Sequence, residues 1–507
     1  MLSIVDLRPA PPCPAPFNMA AYVLAHAATT PDKIALQILR VTGAERWSFA
    51  ALERAVRGVG TGLLGAGLVP GDRVLLRLGN RVDFPLAFLG AIAVGVIPIP
   101  TSSQLTAAEI TPMAEQVAPA AVIAADGIAL PAIGCPVISA TTLHEWRGLP
   151  ACDWAAGDPH RAAYMIFTSG TSGRPRAVVH AHRAVWARRM MWNGWYGLTP
   201  DDRVLHAGAF NWTYTLGTGL MDPWAIGATA LIPDAAIAPI QLPLLLKRFD
   251  ATIFAAAPGV YRQMLKSPLP PLPKLRHGLS AGERLPEVTR AAWTDATGTP
   301  IHEALGMSEV STFVSSSPAH PAPHGASGHV QQGRCVAVLG PDGEPVSRGT
   351  PGTLAVDRDD PGLFLGYFGA EQETRARMTG RWFLTGDTVS MAEDGAIHYL
   401  GRDDDILNAG GYRCSPLEIE GVFDTHPGIA ESAAIEVSVR EGVSIIALCY
   451  VPQGDPLPDE TLQEYGSARL ARYKQPRLFH AVEALPKGAN GKISRKLLRS
   501  WLGEKQG

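Results

Sequence analysis

The chain has 507 residues, 46% of them apolar and 18% charged, which is enough for several domains or for one large and one small, each with an ample core. Its formal charge of −3, from 44 basic and 47 acidic residues, gives no reason to expect a nucleic acid or an anionic membrane as partner. Six cysteines, at positions 13, 135, 152, 335, 414 and 449, form no Cys-x-x-Cys pair, a usage that suits a reducing compartment better than a disulfide scaffold.

In chain order, residues 1–16 are rich in proline and lack the basic-then-apolar layout of a signal peptide. Phe49 to Gly67 has helical spacing, with Leu52, Val56, Val59, Leu63 and Leu64 on one side. Within it Gly60, Gly62 and Gly65 match the dinucleotide-binding expression Gly-x-Gly-x-x-Gly. They fall at the end of an amphipathic helix and not between a strand and a helix start, so that reading is rejected. Phe84 to Thr101, the longest uncharged early run, is interrupted by three prolines and two glycines and reads as a buried helix followed by a strand. A membrane span needs roughly 20 predominantly apolar residues, so the expectation is a soluble cytoplasmic protein.

Thr168 to Arg176 combines four hydroxyl side chains, two glycines and two arginines. Glycines let a backbone approach an anion, successive N–H groups form a concave nest, and hydroxyl and guanidinium groups add donors, so the loop suits phosphate. Its flanks, Ala163 to Phe167 and Ala177 to His180, read as strands, which places it at a strand-to-strand turn. A Walker A loop would need Gly-Lys-Ser/Thr opening a helix. A flexible Ser/Gly linker would lack the apolar flanks and the paired arginines.

Further on, Lys266 to Lys274 reads as an extended surface loop. Glu303 to Glu309 follows a strand expected to end at Pro300 to His302. Gly306-Met-Ser308-Glu-Val310 nearly matches the hydrolase elbow Gly-x-Ser-x-Gly but lacks the last glycine. Strand-like and helical runs alternate through most of the chain, which predicts α/β layering. Ala396 to Leu400 is strand-like and ends in Gly-Arg-Asp-Asp-Asp, a solvated turn or a hinge, and the residues beyond suffice for a small α+β domain. The expected domains are 1–402 and 403–507.

The loop at 168–176 resembles the phosphate-binding signature of the adenylate-forming superfamily, which includes acyl-CoA and aryl-CoA ligases, luciferases and nonribosomal-peptide adenylation domains. That pattern is loosely Tyr-Thr-Ser-Gly-Thr-Thr-Gly-x-Pro-Lys-Gly; Arg176 stands where Lys is usual and Ala177 where Gly is usual. Five more segments follow in the superfamily's order: Leu279 to Glu283 (adenine-side turn), Glu303 to Glu309 (Tyr-Gly-x-Thr-Glu), Trp382 to Asp387 (Thr-Gly-Asp), Asp404 to Glu420 (hinge) and Pro486 to Lys496 (final motif). The resemblance implies an N-terminal AMP-binding domain of layered α/β sheets with a β-barrel subdomain, and a small mobile α+β C-terminal domain. It implies ATP with Mg²⁺, and coenzyme A as second substrate.

By the same resemblance, ATP or AMP is held by Thr168, Ser169, Gly170, Thr171, Ser172, Gly173, Arg176, Gly282, Glu283, Leu305, Gly306, Met307, Ser308, Asp387 and Arg402. Leu305 replaces the usual aromatic, which implies apolar packing on adenine. The hard carboxylate of Glu309 suits Mg²⁺ bridging nucleotide phosphates. Asp387, an acceptor-only group, suits the ribose hydroxyls. Lys492 would touch both the acid carboxylate and the α-phosphate and stabilise a pentavalent transition state, so the catalytic set is Lys492, Glu309 and Thr168. Asp404 would be the hinge, with Gly410, Gly411, Tyr412 and Arg413 at the coenzyme A tunnel; Asn408 stands where many members have Lys.

Leu205 to Leu246 and Ile301 to Ser317, which line the acyl pocket by resemblance, carry no Lys or Arg, so a dicarboxylate would bury an unpaired charge there. Phe210, Asn211, Trp212, Tyr214, Thr312 and Phe313 are the expected lining; for each aromatic the alternative is ordinary core filling. Asn211 lies where amino-acid-activating domains carry an Asp for the substrate ammonium, and it cannot supply that charge. The set suits a flat or modest-length neutral acyl group. The Ser-Ala-Gly-Glu turn ending at Glu283 and the Tyr-Thr-Leu-Gly spacing after Trp212 look most like benzoate-type CoA ligases, with medium-chain fatty acids open. The chain ends 15 residues beyond Lys492 without a fused carrier domain. With the thiolation-type hinge, this favours free coenzyme A over a separate carrier protein as acceptor. A non-catalytic nucleotide-binding paralogue would have no need of Glu309, Asp387 and Lys492.

Overall fold

Runs of Val, Ile, Leu and Ala bounded by glycine and polar turns form the strands, and the amphipathic stretches between them form covering helices. The structure is a computed structural model describing residues 1–169, 175–402, 405, 407–409, 412–440, 443–470, 474–487 and 492–504. A nine-stranded sheet runs in the order His329–Val330, Ser311–Ser315, Ile301–Met307, His277–Ala281, Ile253–Ala256, Arg203–His206, Thr229–Pro233, Ile34–Leu39, Ala44–Ser48. Its strands from Ile301–Met307 to Ile34–Leu39 are parallel, and antiparallel pairs close both edges. Beside it lies a parallel four-stranded sheet, Ile97–Pro100, Arg73–Arg77, Ala121–Ala124 and Val137–Ser139.

A six-stranded antiparallel sheet forms the all-β part of the large domain. Its first strand is Ile4–Asp6, drawn from the proline-rich N-terminus and paired with Cys335–Leu339. A small third sheet joins Ala162–Ser169, Pro175–Ala181 and Gly366–Tyr367. The C-terminal part is α+β: Ile429–Arg440, Val443–Pro452 and Leu478–Ala481 form a sheet packed by helices Pro416–Phe423, Asp459–Ser467 and Arg495–Glu504. It buries two apolar clusters of its own, one around Phe423 and Leu448 and one around Ile435 and Leu498. Among the described residues no helix is long and apolar enough to cross a membrane.

The helix Phe49–Gly65 begins where Ser48 accepts a hydrogen bond from the Ala51 N–H. Leu52, Val56, Val59 and Leu63 are buried as the spacing predicts. Leu64 is not: it is 43% exposed, because one residue beyond Leu63 turns the side chain about 100° around the helix. The glycines of the rejected dinucleotide pattern have a packing role. A Cβ on Gly62 would overlap the Trp146 ring, and one on Gly60 would come within 2.7 Å of Cys152 Sγ. Gly62→Ala is therefore expected to destabilise the fold by about 1–3 kcal/mol, read as a lower Tm, with the KM for ATP unchanged. A shifted KM at constant Tm would restore a nucleotide role for this segment.

Candidate active site

Ala162–Ser169 and Pro175–Ala181 pair antiparallel with Thr168 directly opposite Arg176, at the strand ends that lead into the hydroxyl- and glycine-rich segment. Gly170, Thr171, Ser172 and Gly173 lie outside the described residues, and Ser169 ends the first strand. Thr168 is half-buried at the mouth of the turn. Arg176 is engaged twice, by an ion pair with Glu373 and by its guanidinium lying 5.3 Å from the centre of the Tyr367 ring.

Tyr367 ties this hairpin to the next motif. Its hydroxyl donates to Oε1 of Glu309 at 2.7 Å, and the Phe364 N–H donates to the Glu309 carbonyl at 2.7 Å. Burial pushes the Tyr367 hydroxyl pKa well up, and the neighbouring carboxylate adds to the shift, so the phenol remains a donor. Glu309 is buried. The strand before it does not stop at Pro300 to His302: it runs Ile301–Met307, because Ser311–Ser315 folds back antiparallel and supplies ladder partners as far as Met307. Leu305, Gly306 and Met307 are consequently strand residues, with Ser308 and Glu309 in the tight turn that follows. Leu305 is half-buried against the cluster containing Val310, Phe313 and Phe364.

Parallel pairing of Ala281 with Ala304 sets the Gly282–Glu283 turn next to Leu305. Gly282 has φ +95° and open space where a Cβ would point. Across the site, Asp387 and Arg402 are cross-strand neighbours joined by an ion pair of 3.0 Å; Arg402 also donates to the Thr385 carbonyl at 3.1 Å, and the Asp387 N–H donates to Thr385 Oγ1. Tyr399 packs beside Asp387, its hydroxyl pKa raised by burial and then by that carboxylate.

Lys492 arrives from the C-terminal part. Its side chain is solvent-accessible, yet enough protein surrounds it that desolvation lowers its pKa. Glu283, Asp387 and Glu309 pull the other way and favour the ammonium, while Arg402 opposes it. Glu283 responds in kind: burial raises its pKa and Lys492 draws it back. Four motifs far apart in sequence thus share one electrostatic site. Arg262–Glu431 at 3.4 Å and a hydrogen bond from Arg284 to the Leu417 carbonyl at 3.4 Å hold the two parts together, with Lys487 also paired to Glu431 at 2.9 Å.

The expected acyl-pocket residues separate into two groups. Phe210 is stacked on Phe84 at 4.9 Å in the N-terminal core, and Phe313 is fully buried behind the Glu309 hairpin; both pack as core. Asn211, Trp212 and Tyr214 are half-buried in a segment clipped by Asn80, which donates to the Gly208 carbonyl at 2.8 Å and accepts from the Phe210 N–H at 3.0 Å. Tyr214 donates to the Leu279 carbonyl, and Thr312 contacts Met191 Sδ. A cation does reach this region from outside the two uncharged segments. Arg188 is buried against Asp222, Tyr196 and Ser311, and Asp222 neutralises it, so no unpaired positive charge is offered to a second carboxylate. Asp404, Gly410 and Gly411 lie outside the described residues; Tyr412 and Arg413 belong to the strand Tyr412–Cys414, paired with Leu407–Ala409. Tyr367, Glu373, Tyr399 and Arg188 were missed by sequence reasoning, since nothing local marks them: strand pairing brings in the two tyrosines, and helix packing brings in Glu373 and Arg188.

The family described as AMP-binding enzyme matches residues 23–368, and its C-terminal domain matches residues 418–492. The chain belongs to the AMP-binding enzyme family. Among curated relatives, the benzoate–CoA ligase of Thauera aromatica is 30% identical over 86% of each chain, and the 3-hydroxybenzoate–CoA ligase of Aromatoleum sp. (strain CIB) is 28% identical over 91% of this chain and 93% of the relative. A benzoate CoA ligase from Burkholderia xenovorans LB400 superposes with a TM-score of 0.85 at 29% identity, covering 95% of this chain and all of that one. The protein is an AMP-forming acid–thiol ligase that uses ATP and coenzyme A as substrates.

Removing the Tyr367 hydroxyl leaves the buried ligase carboxylate at Glu309 without its donor. Tyr367→Phe is expected to lower kcat/KM for Mg·ATP about tenfold, measured by pyrophosphate release, with little change in Tm. An unchanged kcat/KM would show that Glu309 needs no such support.

Proposed function

We propose that this ligase activates a neutral aromatic acid, with short- and medium-chain acids as the next substrates to test, and that residues 1–402 and 403–507 form its two working domains. The observation that carries the site assignment is the convergence of Lys492 with Glu283, Asp387 and Glu309. In this arrangement the ammonium lies where two anions must meet. It offsets the repulsion between the acid carboxylate and the triphosphate and stabilises charge building on the α-phosphate. A carboxylate oxygen attacks the α-phosphorus, pyrophosphate leaves, and acyl-AMP forms.

Asp387, fixed by Arg402, takes the ribose hydroxyls, and Gly282, Glu283 and Leu305 border the adenine. Thr168 and the hairpin turn take the phosphates. Glu309 fits a magnesium ion: it is a buried hard carboxylate, and among the described residues no cluster of three or more His, Cys, Asp or Glu offers a complete cage. The ion would therefore depend on Glu309 together with phosphate oxygens and water, and would supply charge neutralisation to the leaving pyrophosphate.

For the second half-reaction the C-terminal domain turns about Asp404, withdrawing Lys492 and presenting the Gly410 to Arg413 face. The coenzyme A thiolate then attacks the acyl carbon, the thioester forms, and AMP leaves. A cytoplasmic setting, where ATP and coenzyme A are available and cysteines stay reduced, fits this reading.

Pyrophosphate release with Mg·ATP across benzoates, phenylalkanoates and C2 to C12 fatty acids, each with and without coenzyme A, tests the proposal. An aryl acid should lead, and coenzyme A should raise turnover; adenylation that ignores coenzyme A would point to a carrier-protein acceptor. Lys492→Ala should cost at least roughly 10²-fold in adenylation while sparing thioester formation from supplied acyl-AMP. Equal losses in both half-reactions would contradict the domain turn.

A further inference from the structure

His206 ends the strand Arg203–His206, four residues before the Phe210 to Tyr214 segment, and is 1% exposed. Among the described residues neither of its ring nitrogens has a hydrogen-bond partner, and the same holds for the hydroxyl of Thr215, which is fully buried. The His206 ring stands edge-on to Tyr214 with centroids 4.4 Å apart. Gly208 lets both groups approach the same stretch of backbone: a Cβ there would overlap Thr215 Oγ1 and come within 2.8 Å of His206 Cε1 and 3.1 Å of Nδ1. Gly219, in the π-helical turn Thr215–Met221, supports the ring from behind. Such turns are rare and concentrate at functional sites.

Leaving several buried polar atoms unpaired is costly, about 1–3 kcal/mol for each group, so a notch of this kind calls for a partner that the polypeptide does not supply. We propose that His206 and Thr215 form a polar notch in the acyl pocket that hydrogen-bonds a hydroxyl or amino substituent on the ring of the aromatic acid. The inference rests on the aryl-acid reading given above. Burial and the nearby Arg188 hold His206 neutral, with its pKa pushed down to about 3, so it offers one donor and one acceptor. A hydroxyl or amine matches that pair together with the threonine hydroxyl. A methyl or halogen leaves it unpaired, and a second carboxylate meets only Arg188, already paired with Asp222.

The test compares kcat/KM for benzoate with that for its 2-, 3- and 4-hydroxy and 2-, 3- and 4-amino derivatives, in the wild type, His206→Leu and Thr215→Val. The ratio of the best substituted acid to benzoate should exceed about tenfold in the wild type and fall by about tenfold in each variant, because a site built to bond a polar group discriminates against its absence. Thr215→Val keeps the side-chain shape, so it carries the test if His206→Leu does not fold. A ratio that stays constant in Thr215→Val, or a wild type indifferent to substituents, would overturn the notch while leaving the aryl-acid reading in place; the groups would then be bridged by water. Absence of turnover with every benzoate would instead overturn the aryl-acid reading and this inference with it.

Discussion

The buried guanidinium of Arg188 ties together three segments of the large domain. It bonds Asp222 through two nitrogens, Tyr196 at 3.0 Å and Ser311, and so joins two π-helical turns, Trp192–Tyr196 and Thr215–Met221, to the hairpin that carries Glu309. Burial alone would pull its pKa down; the Asp222 carboxylate more than reverses this and keeps it charged. Removing one partner of such a pair typically costs about 3–5 kcal/mol, because the other charge is left unpaired in the interior. Ser311, held at φ +71° without being glycine, is placed where Arg188 can bond it, and the hairpin turn before it fixes Glu309.

A second set of charges governs the cleft between the two parts of the chain. Carboxylates at 283, 309 and 387 would repel one another and an incoming triphosphate; Lys492 relieves the first repulsion and, in the proposed reaction, the second. Among the described residues the two parts are joined by polar contacts that include Arg262 to Glu431, Arg284 to the Leu417 carbonyl and Ser415 to the Leu400 carbonyl. Such a polar interface around a strongly charged site suits the domain turn proposed above.

The segments expected to line the acyl pocket show where chemistry and packing compete for the same residue types. Phe210 and Phe313 are aromatic, as a pocket for a flat acid needs, yet both serve the core, while Tyr214 stands beside an imidazole with no apolar reason to be there. An aromatic residue reads the same in sequence whether it meets a ligand or a neighbouring ring. The absence of Lys and Arg from two segments was visible in sequence; the arrival of Arg188 from a third was not.

What the sequence determined by itself was whatever depends on local spacing: the helix Phe49–Gly65, the buried helix and strand before Thr101, the hairpin around the phosphate-type loop, the small α+β C-terminal part and the order of the motifs. Local periodicity and turn chemistry carry that information because the interacting groups lie within a few residues of one another. Only the tertiary structure decided that the strand beginning at Ile301 runs on to Met307, that Tyr367 holds Glu309, that Arg176 is shared with Glu373, and that Lys492 meets Glu283 and Asp387. The first depends on the hairpin partner Ser311–Ser315 and the others on partners tens to hundreds of residues away, and strand pairing and long-range charge leave no mark on either partner's local sequence.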